Sequence, residues 1–197
     1  MPFTVADYIL KRLSQQQVDT LFGVPATYCA PLFDAVGAHN IKPVVPVKGR
    51  DGFLCGAVWA SIGHSVAAAV GASFGSSRRP LVICGDGGFH MTAQALSTFV
   101  HYGRDPVVVV IDNGIYGLEQ YLIDSHYFSD PSMPPKPYVL LNPWDFVKLA
   151  NGLGVRSTHS VDTAAELDQA LATVKTSRAP ALIVAKVNPR GLPAQLP

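Results

Sequence analysis

Two short runs of uninterrupted apolar residues constrain this chain more than anything else in it. LVIC (81–84) and VVVVI (107–111) are rich in β-branched residues, and each follows a proline and ends at a glycine-containing turn. A strand that is apolar on both faces must be covered on both faces, the condition of a parallel sheet flanked by helices. The segments around them supply the cover. TAQALSTFVHYG (92–103) reads as a helix closed by Gly103, and PWDFVKLANGLG (143–154) as a helix with Pro143 at its N-terminus and Gly152 and Gly154 at its end. RSTHSV, TAAELDQALATVKTS and APALIVAKV then read as strand, helix and strand. The alternation predicts an α/β fold, a doubly wound, mostly parallel sheet with right-handed crossovers.

Upstream, SIGHSVAAAVGASF (61–74) reads as a helix of small residues, apolar nearly all round and therefore buried. Ala67, Ala68, Ala69 and Gly71 would let another backbone come close, which predicts a homo-oligomer, dimer or tetramer, with this helix near the interface. Near the start, Thr4 and Asp7 form a capping-box-like opening to a helix with Val5, Tyr8, Ile9 and Leu13 on one face. VDTLFGVP suggests a short strand, 30–38 a second helix, and KPVVPV an edge strand. The Pro-rich, aromatic stretch 121–141 is expected to be a loop or lid holding a short helix. There is no internal repeat.

Composition narrows the function classes. With 48% hydrophobic and 15% charged residues in 197, the chain has ample material for a core. Fifteen Lys+Arg against fourteen Asp+Glu leave a net charge of +1, with no basic excess to point to nucleic acid. No apolar run approaches the roughly 20 residues a bilayer span needs, and no signal peptide is evident. Cys29, Cys55 and Cys84 form neither a CxxC pair nor a metal-finger spacing. A cytoplasmic protein acting on a small molecule is expected, without membrane or nucleic-acid partners.

Ligands of open parallel sheets bind beyond the carboxyl ends of the strands. Two such ends carry chemistry here. Cys84-Gly85-Asp86-Gly87-Gly88 lies between a strand and a helix. Its glycines permit close approach of a ligand, and the amides of Gly87, Gly88 and a helix start near Phe89 could cradle a phosphate. A carboxylate beside a phosphate is repulsive unless a cation separates them, and Mg²⁺ favours such all-oxygen surroundings. The second end is Asp112-Asn113-Gly114, with Asn113 placed 27 residues after Asp86. Its amide oxygen suits the same metal. Each motif alone is often only a turn. A dinucleotide site is the chief competitor, but GDGGFH lacks the third glycine of G-x-G-x-x-G, and no Gly-Lys-Ser/Thr marks a Walker loop.

GDGGFHMTAQALSTFVHYGRDPVVVVIDNGIYGLEQ resembles the thiamine-diphosphate motif, and more narrowly the diphosphate-binding domain of the pyruvate and indolepyruvate decarboxylase group of 2-oxo-acid enzymes. The resemblance covers about 58–187. It implies thiamine diphosphate and Mg²⁺ as cofactors. The metal would be held by Asp86, the Asn113 side chain and the backbone carbonyl of Ile115. It further implies cofactor contacts from Ala60, Ser61, Ile62, Gly85, Gly87, Gly88, Tyr116 and Gly117. Ile62 would wedge between the cofactor rings, and the Ala60 carbonyl would accept from the aminopyrimidine. Read without the resemblance, Ile62 is ordinary core. Glu119, six residues past Asn113, falls where the group has an acidic residue facing the substrate. Its implied role is proton transfer to a C2 carbanion or enamine, which calls for a raised pKa. Histidines 64, 90, 101 and 126 read as structural, with His90 the best placed of them to line the site.

The chain also departs from that family. The usual Asn-Asn is Asp112-Asn113 here. ADYILKRLSQQQVDTLFGVPATYCAPLFDAVGAHNIKPVV resembles the start of the pyrimidine-binding domain, but no activating Glu follows before Glu119. The expected division is therefore 1–57, a remnant of the pyrimidine domain, and 58–197, the diphosphate and metal domain, with most of the pyrimidine domain and the middle domain lacking. Thr27 stands where the pyruvate-type enzymes carry Asp, and their paired histidines have no counterpart. Decarboxylation of a 2-oxo acid thus stands beside two alternatives. One is a carboligase making an acyloin or acetolactate-type product, and the other is a non-catalytic cofactor-binding fragment.

Overall fold

Alternation along each strand sorts the apolar runs into two cores. The computed structural model describes residues 61–191 and the backbone of 22–23. The five strands are β1 (Phe22–Gly23), β2 (Leu81–Gly85), β3 (Val107–Asp112), β4 (Ser157–Val161) and β5 (Ala181–Lys186), all parallel, in the order β1-β2-β3-β5-β4. Leu81, Ile83, Val107, Val109 and Ile183 point to one face, and Val82, Cys84, Val108, Val110, Leu182 and Val184 to the other. Both sets are buried, so the continuous apolar runs are explained by cover on each side. Each such side chain contributes roughly 1.5–3 kcal/mol by leaving water.

The helices are α1 (His64–Gly75), α2 (Asp86–Thr92), α3 (Ala95–His101), α4 (Gly117–Ile123), α5 (His126–Ser129), α6 (Phe146–Gly152) and α7 (Ala164–Thr176), with a 3₁₀ turn at Pro137–Val139. Val66 and Ala69 of α1, Phe89 of α2, Leu96 and Phe99 of α3 and Phe146 and Ala150 of α6 fill the second core. Leu167, Ala170, Leu171 and Val174 of α7 fill the first. This division follows from topology. From β2 to β3 to β4 the chain steps one way along the sheet, and β4 to β5 is the step back. Right-handed connections in opposite directions place their helices on opposite faces.

Several sequence expectations are corrected. The helix expected over 92–103 begins earlier, at Asp86, and is broken at Ala93 and Gln94. There the bonding tightens to Leu96 N–H with the Ala93 carbonyl (3.0 Å) and Ser97 N–H with the Gln94 carbonyl (3.1 Å). The helix expected from Pro143 starts at Phe146, because Asp145 caps it by accepting from the Lys148 amide at 2.9 Å. α1 is not buried all round: Val66, Ala69 and Ser73 are buried, while Ala67, Gly71 and Phe74 are exposed. The expected strand around Phe22 is represented by β1, which pairs with β2. The helices expected near 4–13 and 30–38 and the edge strand KPVVPV lie outside the described residues, as do Cys29 and Cys55.

The stretch after β3 is a built excursion rather than a slack loop. It is closed at its base by an antiparallel bridge between Ile115 and Leu140 and by the Leu141 amide donating to the Gly114 carbonyl at 3.0 Å. Gln120, fully buried, donates to the Asp124 carbonyl and accepts from the Lys136 amide, both at 2.8 Å. At the far end the Arg190 guanidinium stacks 4.0 Å over the Tyr127 ring and donates to the carbonyls of Tyr127, Asp130, Pro131 and Met133. These bonds satisfy backbone groups that a helix or sheet would otherwise satisfy.

Candidate functional site

The β2–β3 register pairs Gly85 with Ile111, so the two chemically loaded strand ends emerge side by side. Gly85 is extended and Asp86 is the first residue of α2. The Asp86 side chain, only 3% exposed, joins the two ends. One carboxylate oxygen accepts from the Gly87 amide at 2.9 Å, and the other from the Gly114 amide at 2.6 Å. The Gly87 amide, expected to cradle a phosphate, is thus engaged by Asp86 itself, and the helix starts three residues before Phe89. Gly114 sits at φ +74°, the left-handed region that favours glycine. Asn113 Oδ1 accepts from the Ile115 amide at 3.1 Å, which folds the second turn back on itself.

Burial pushes the Asp86 carboxyl up to about 6, against the lowering effect of the Gly114 and Gly87 amides. The neighbouring Asp112 carboxyl raises it further. Asp112 is in turn paired with Lys186 at the end of β5.

The walls come from three elements. The Tyr116 ring lies against Gly87 so closely that a Cβ there would stand 2.5 Å from it, and a larger residue would force the ring to shift. Burial raises the Tyr116 hydroxyl, and Glu119 and Asp86 add to the shift. Ile62 is 48% exposed and borders Gly88, so the structure does not use it as core. Its turn is docked on α2: Gly63 adopts φ +87°, a Cβ on it would meet Met91 at 2.7 Å, and Thr92 Oγ1 donates to its carbonyl at 2.7 Å. Ser61 is exposed, and its carbonyl accepts from the His64 amide at 3.3 Å. Ala60 lies outside the described residues. Ile115 is buried at the base of the excursion, and Gly117 opens α4 beside the Asn113 side chain. Glu119 stands exposed in the first turn of α4. His90 stacks on Trp144 at 4.1 Å and meets Phe146 edge-on; burial lowers its pKa while Asp112 opposes the shift.

Asp86, Asn113, Ile115, Tyr116, Gly87 and Gly88 are therefore brought together, with Ile62 at the rim. Sequence reasoning missed Lys186, Gln120 and Trp144. Lys186 alone had a usable signal, as a charge closing a buried strand. Among the described residues no group of three or more His, Cys, Asp and Glu is placed to hold a metal. The oxygen donors expected from the sequence would be one carboxylate, one side-chain amide and one backbone carbonyl. That set suits a hard cation completed by phosphate oxygens and water, the usual condition of Mg²⁺.

The raised Asp86 pKa predicts a pH effect. A carboxyl whose folded pKa lies near 6 and whose unfolded pKa is near 4 binds more protons when folded, so stability falls as pH rises through that window. Asp86→Asn does not titrate. Relative to the parent it should gain up to about 3 kcal/mol between pH 4 and pH 7 in ligand-free denaturant melts. A constant difference between the two across that range contradicts the assignment.

The chain resembles known proteins in both sequence and fold. Residues 35–185 match the family model described as "Thiamine pyrophosphate enzyme, C-terminal TPP binding domain". Alpha-keto-acid decarboxylases of Mycobacterium tuberculosis and Mycobacterium bovis are 32% identical over 141 residues, 70% of this chain and 24% of theirs. The Mycobacterium leprae relative is 30% identical over the same length. The chain spans about a quarter of the length of the curated relatives it matches. Among solved structures, benzoylformate decarboxylase from Polynucleobacter necessarius has a TM-score of 0.71 at 23% identity, over 98% of this chain and 34% of that one. A thiamine diphosphate-dependent 4-hydroxybenzoylformate decarboxylase from Rhodococcus jostii has a TM-score of 0.73 at 22% identity, over 93% and 32%. At these identities the structural likeness speaks to the fold, an α/β fold of this kind. The family match spans α1, both loaded strand ends and the sheet from β2 through most of β5, and on it the chain belongs to the thiamine pyrophosphate enzymes through their C-terminal TPP-binding domain.

Proposed function

We propose that this chain holds the diphosphate end of thiamine diphosphate through Mg²⁺ and serves the decarboxylation of a 2-oxo acid. The observation that carries the reading is the buried Asp86 carboxylate, fixed by amides of both strand-end turns with Asn113 beside it. Asp86, the Asn113 side chain and the Ile115 carbonyl would hold the metal. Gly85, Gly87, Gly88, Tyr116 and Gly117 would bound the cofactor, with further contacts from Ala60, Ser61 and Ile62. We assign 58–197 to this diphosphate side and 1–57 to a remnant of the pyrimidine side. Bound there, thiamine diphosphate supplies the nucleophilic carbon and the electron sink, while the protein supplies orientation and electrostatics. Glu119, on the excursion anchored by Gln120, is the residue we assign to moving a proton at the reacting centre.

Binding is tested apart from turnover, because the activating Glu of the pyrimidine side has no counterpart before Glu119. In isothermal titration with thiamine diphosphate and Mg²⁺, Asp86→Ala and Asn113→Ala should each lose about tenfold or more in affinity, as expected for metal ligands. Metal-dependent binding that survives both substitutions removes the site.

For turnover, a panel of 2-oxo acids is assayed for both CO₂ and acyloin, so that decarboxylation and carboligation are told apart. Glu119→Gln should slow product formation on the order of 100-fold while cofactor affinity holds, the scale of a lost proton-transfer group. An unchanged rate excludes Glu119 from that role.

We also infer a homo-oligomer, because α1 leaves Ala67, Gly71 and Phe74 exposed on a helix of small residues. Light scattering at micromolar concentration should return at least twice the 21.0 kDa chain mass, and a clean monomer contradicts the inference.

A further inference from the structure

Two carboxylates crowd the strand ends where the proposed metal site needs only one. Asp86 opens α2 and Asp112 closes β3, each directly following one of the paired residues Gly85 and Ile111, and the Asp112 carboxyl pushes the Asp86 pKa up. Asp112 is mostly shielded, with 11% of its side chain exposed, so water does little to screen its charge. The cation that meets it comes from the next strand. Asp112 and Lys186 are paired in the β3–β5 register, and the Lys186 ammonium donates to Asp112 Oδ2. Lys186 is half exposed, but its partner is not, which separates this pair from ordinary surface ion pairs of negligible worth. The parallel ladder sets the pair, since residues at the same level of neighbouring strands point to the same face.

We propose that Lys186 is a positioning residue of the metal–diphosphate site, which engages and neutralises the Asp112 carboxylate so that Asp86 alone faces the cation. The inference rests on the reading of Asp86 and Asn113 as metal ligands. Its physical content is a balance of charge. A diphosphate brings several negative charges to a site that offers Mg²⁺ and one carboxylate. A second uncompensated carboxylate would attract a bare cation and repel the diphosphate. Lys186 removes that second charge without leaving the strand end.

This balance gives an opposed pair of effects that a merely structural lysine would not produce. Full-length parent, Lys186→Met, Lys186→Arg, Asp112→Asn and the Lys186→Met/Asp112→Asn double variant are titrated calorimetrically with Mg²⁺ alone and with thiamine diphosphate at saturating Mg²⁺. In Lys186→Met, Mg²⁺ alone should bind about threefold or more tighter and thiamine diphosphate about threefold to tenfold weaker, the scale of one unscreened charge several ångströms away. Lys186→Arg should keep parent values, and the double variant should return both affinities to within about twofold of the Asp112→Asn variant, because the unmatched charge has gone with its partner. The proposal is overturned if Lys186→Met leaves both affinities unchanged, moves them in the same direction, or is not corrected by adding Asp112→Asn. If the parent itself shows no Mg²⁺-dependent binding, the metal-site reading falls and takes this one with it; parent binding with an inert Lys186→Met removes this one alone.

Discussion

Asp86 ties two loops together through a single carboxylate. Its oxygens accept from Gly87 in its own turn and from Gly114 in the next, across the β2–β3 step. The second contact is available only if the strands are in register at Gly85 and Ile111. That register depends on Val82, Ile83, Val108 and Val109 facing the correct cores, since a slip of one residue would turn every side chain to the opposite face. The apolar packing of the sheet is thus what places a charged group to within hydrogen-bond tolerance at its edge. The cost is visible at the same atom, where burial holds the carboxyl well above the ordinary aspartate range.

A second constraint acts from outside the sheet. The excursion from Gly114 to Leu141 carries Tyr116 and Glu119 and has no sheet of its own to hold it. Gln120 replaces that support from within, bonding Asp124 and Lys136, and the Lys136 ammonium adds an ion pair to Asp124 at 2.9 Å. Arg190 holds the far end from beyond β5, through four backbone carbonyls. The segment that presents Glu119 is consequently anchored to the sheet at both ends, a condition that placement of a proton-transferring group requires.

The strands were legible because β-branched runs bounded by Pro and Gly have few other uses, and the paired strand-end motifs because their spacing matches one helix and one strand. The start of α2 was not. Two consecutive glycines argue against a helix by propensity, yet Gly87 and Gly88 lie inside one. Gly87 is there for clearance, since a Cβ on it would stand 2.5 Å from the Tyr116 ring, whereas one on Gly88 would make only ordinary contact with Ile62 and the Gly63 backbone. Tertiary contact overrides local preference at Gly87. α1 misled in the opposite way, since a helix of small apolar residues does not reveal which of its faces is covered. Arg190 was invisible because its partners lie 57–63 residues away, and so was the bond from Gln120 to Lys136, 16 residues on, beyond any periodicity.

The two ends of the sheet handle charge differently. At the amino ends Arg79 donates to the carbonyls of Asp105, Val174 and Ala179 and faces the Asp105 carboxylate, so its donors are spent on structure. At the carboxyl ends, Asp86 and Asp112 sit against each other with Lys186 on one side. A stability-optimised sheet would not keep two adjacent acids there, because like charges in a shielded place oppose folding. Lys186, paired with Asp112 from the end of the next strand, relieves part of that conflict. The same polarity follows from the parallel arrangement itself. All five strands deliver their carboxyl ends to one edge, so local conflicts of charge and the loops that read them accumulate on that edge and not on the other.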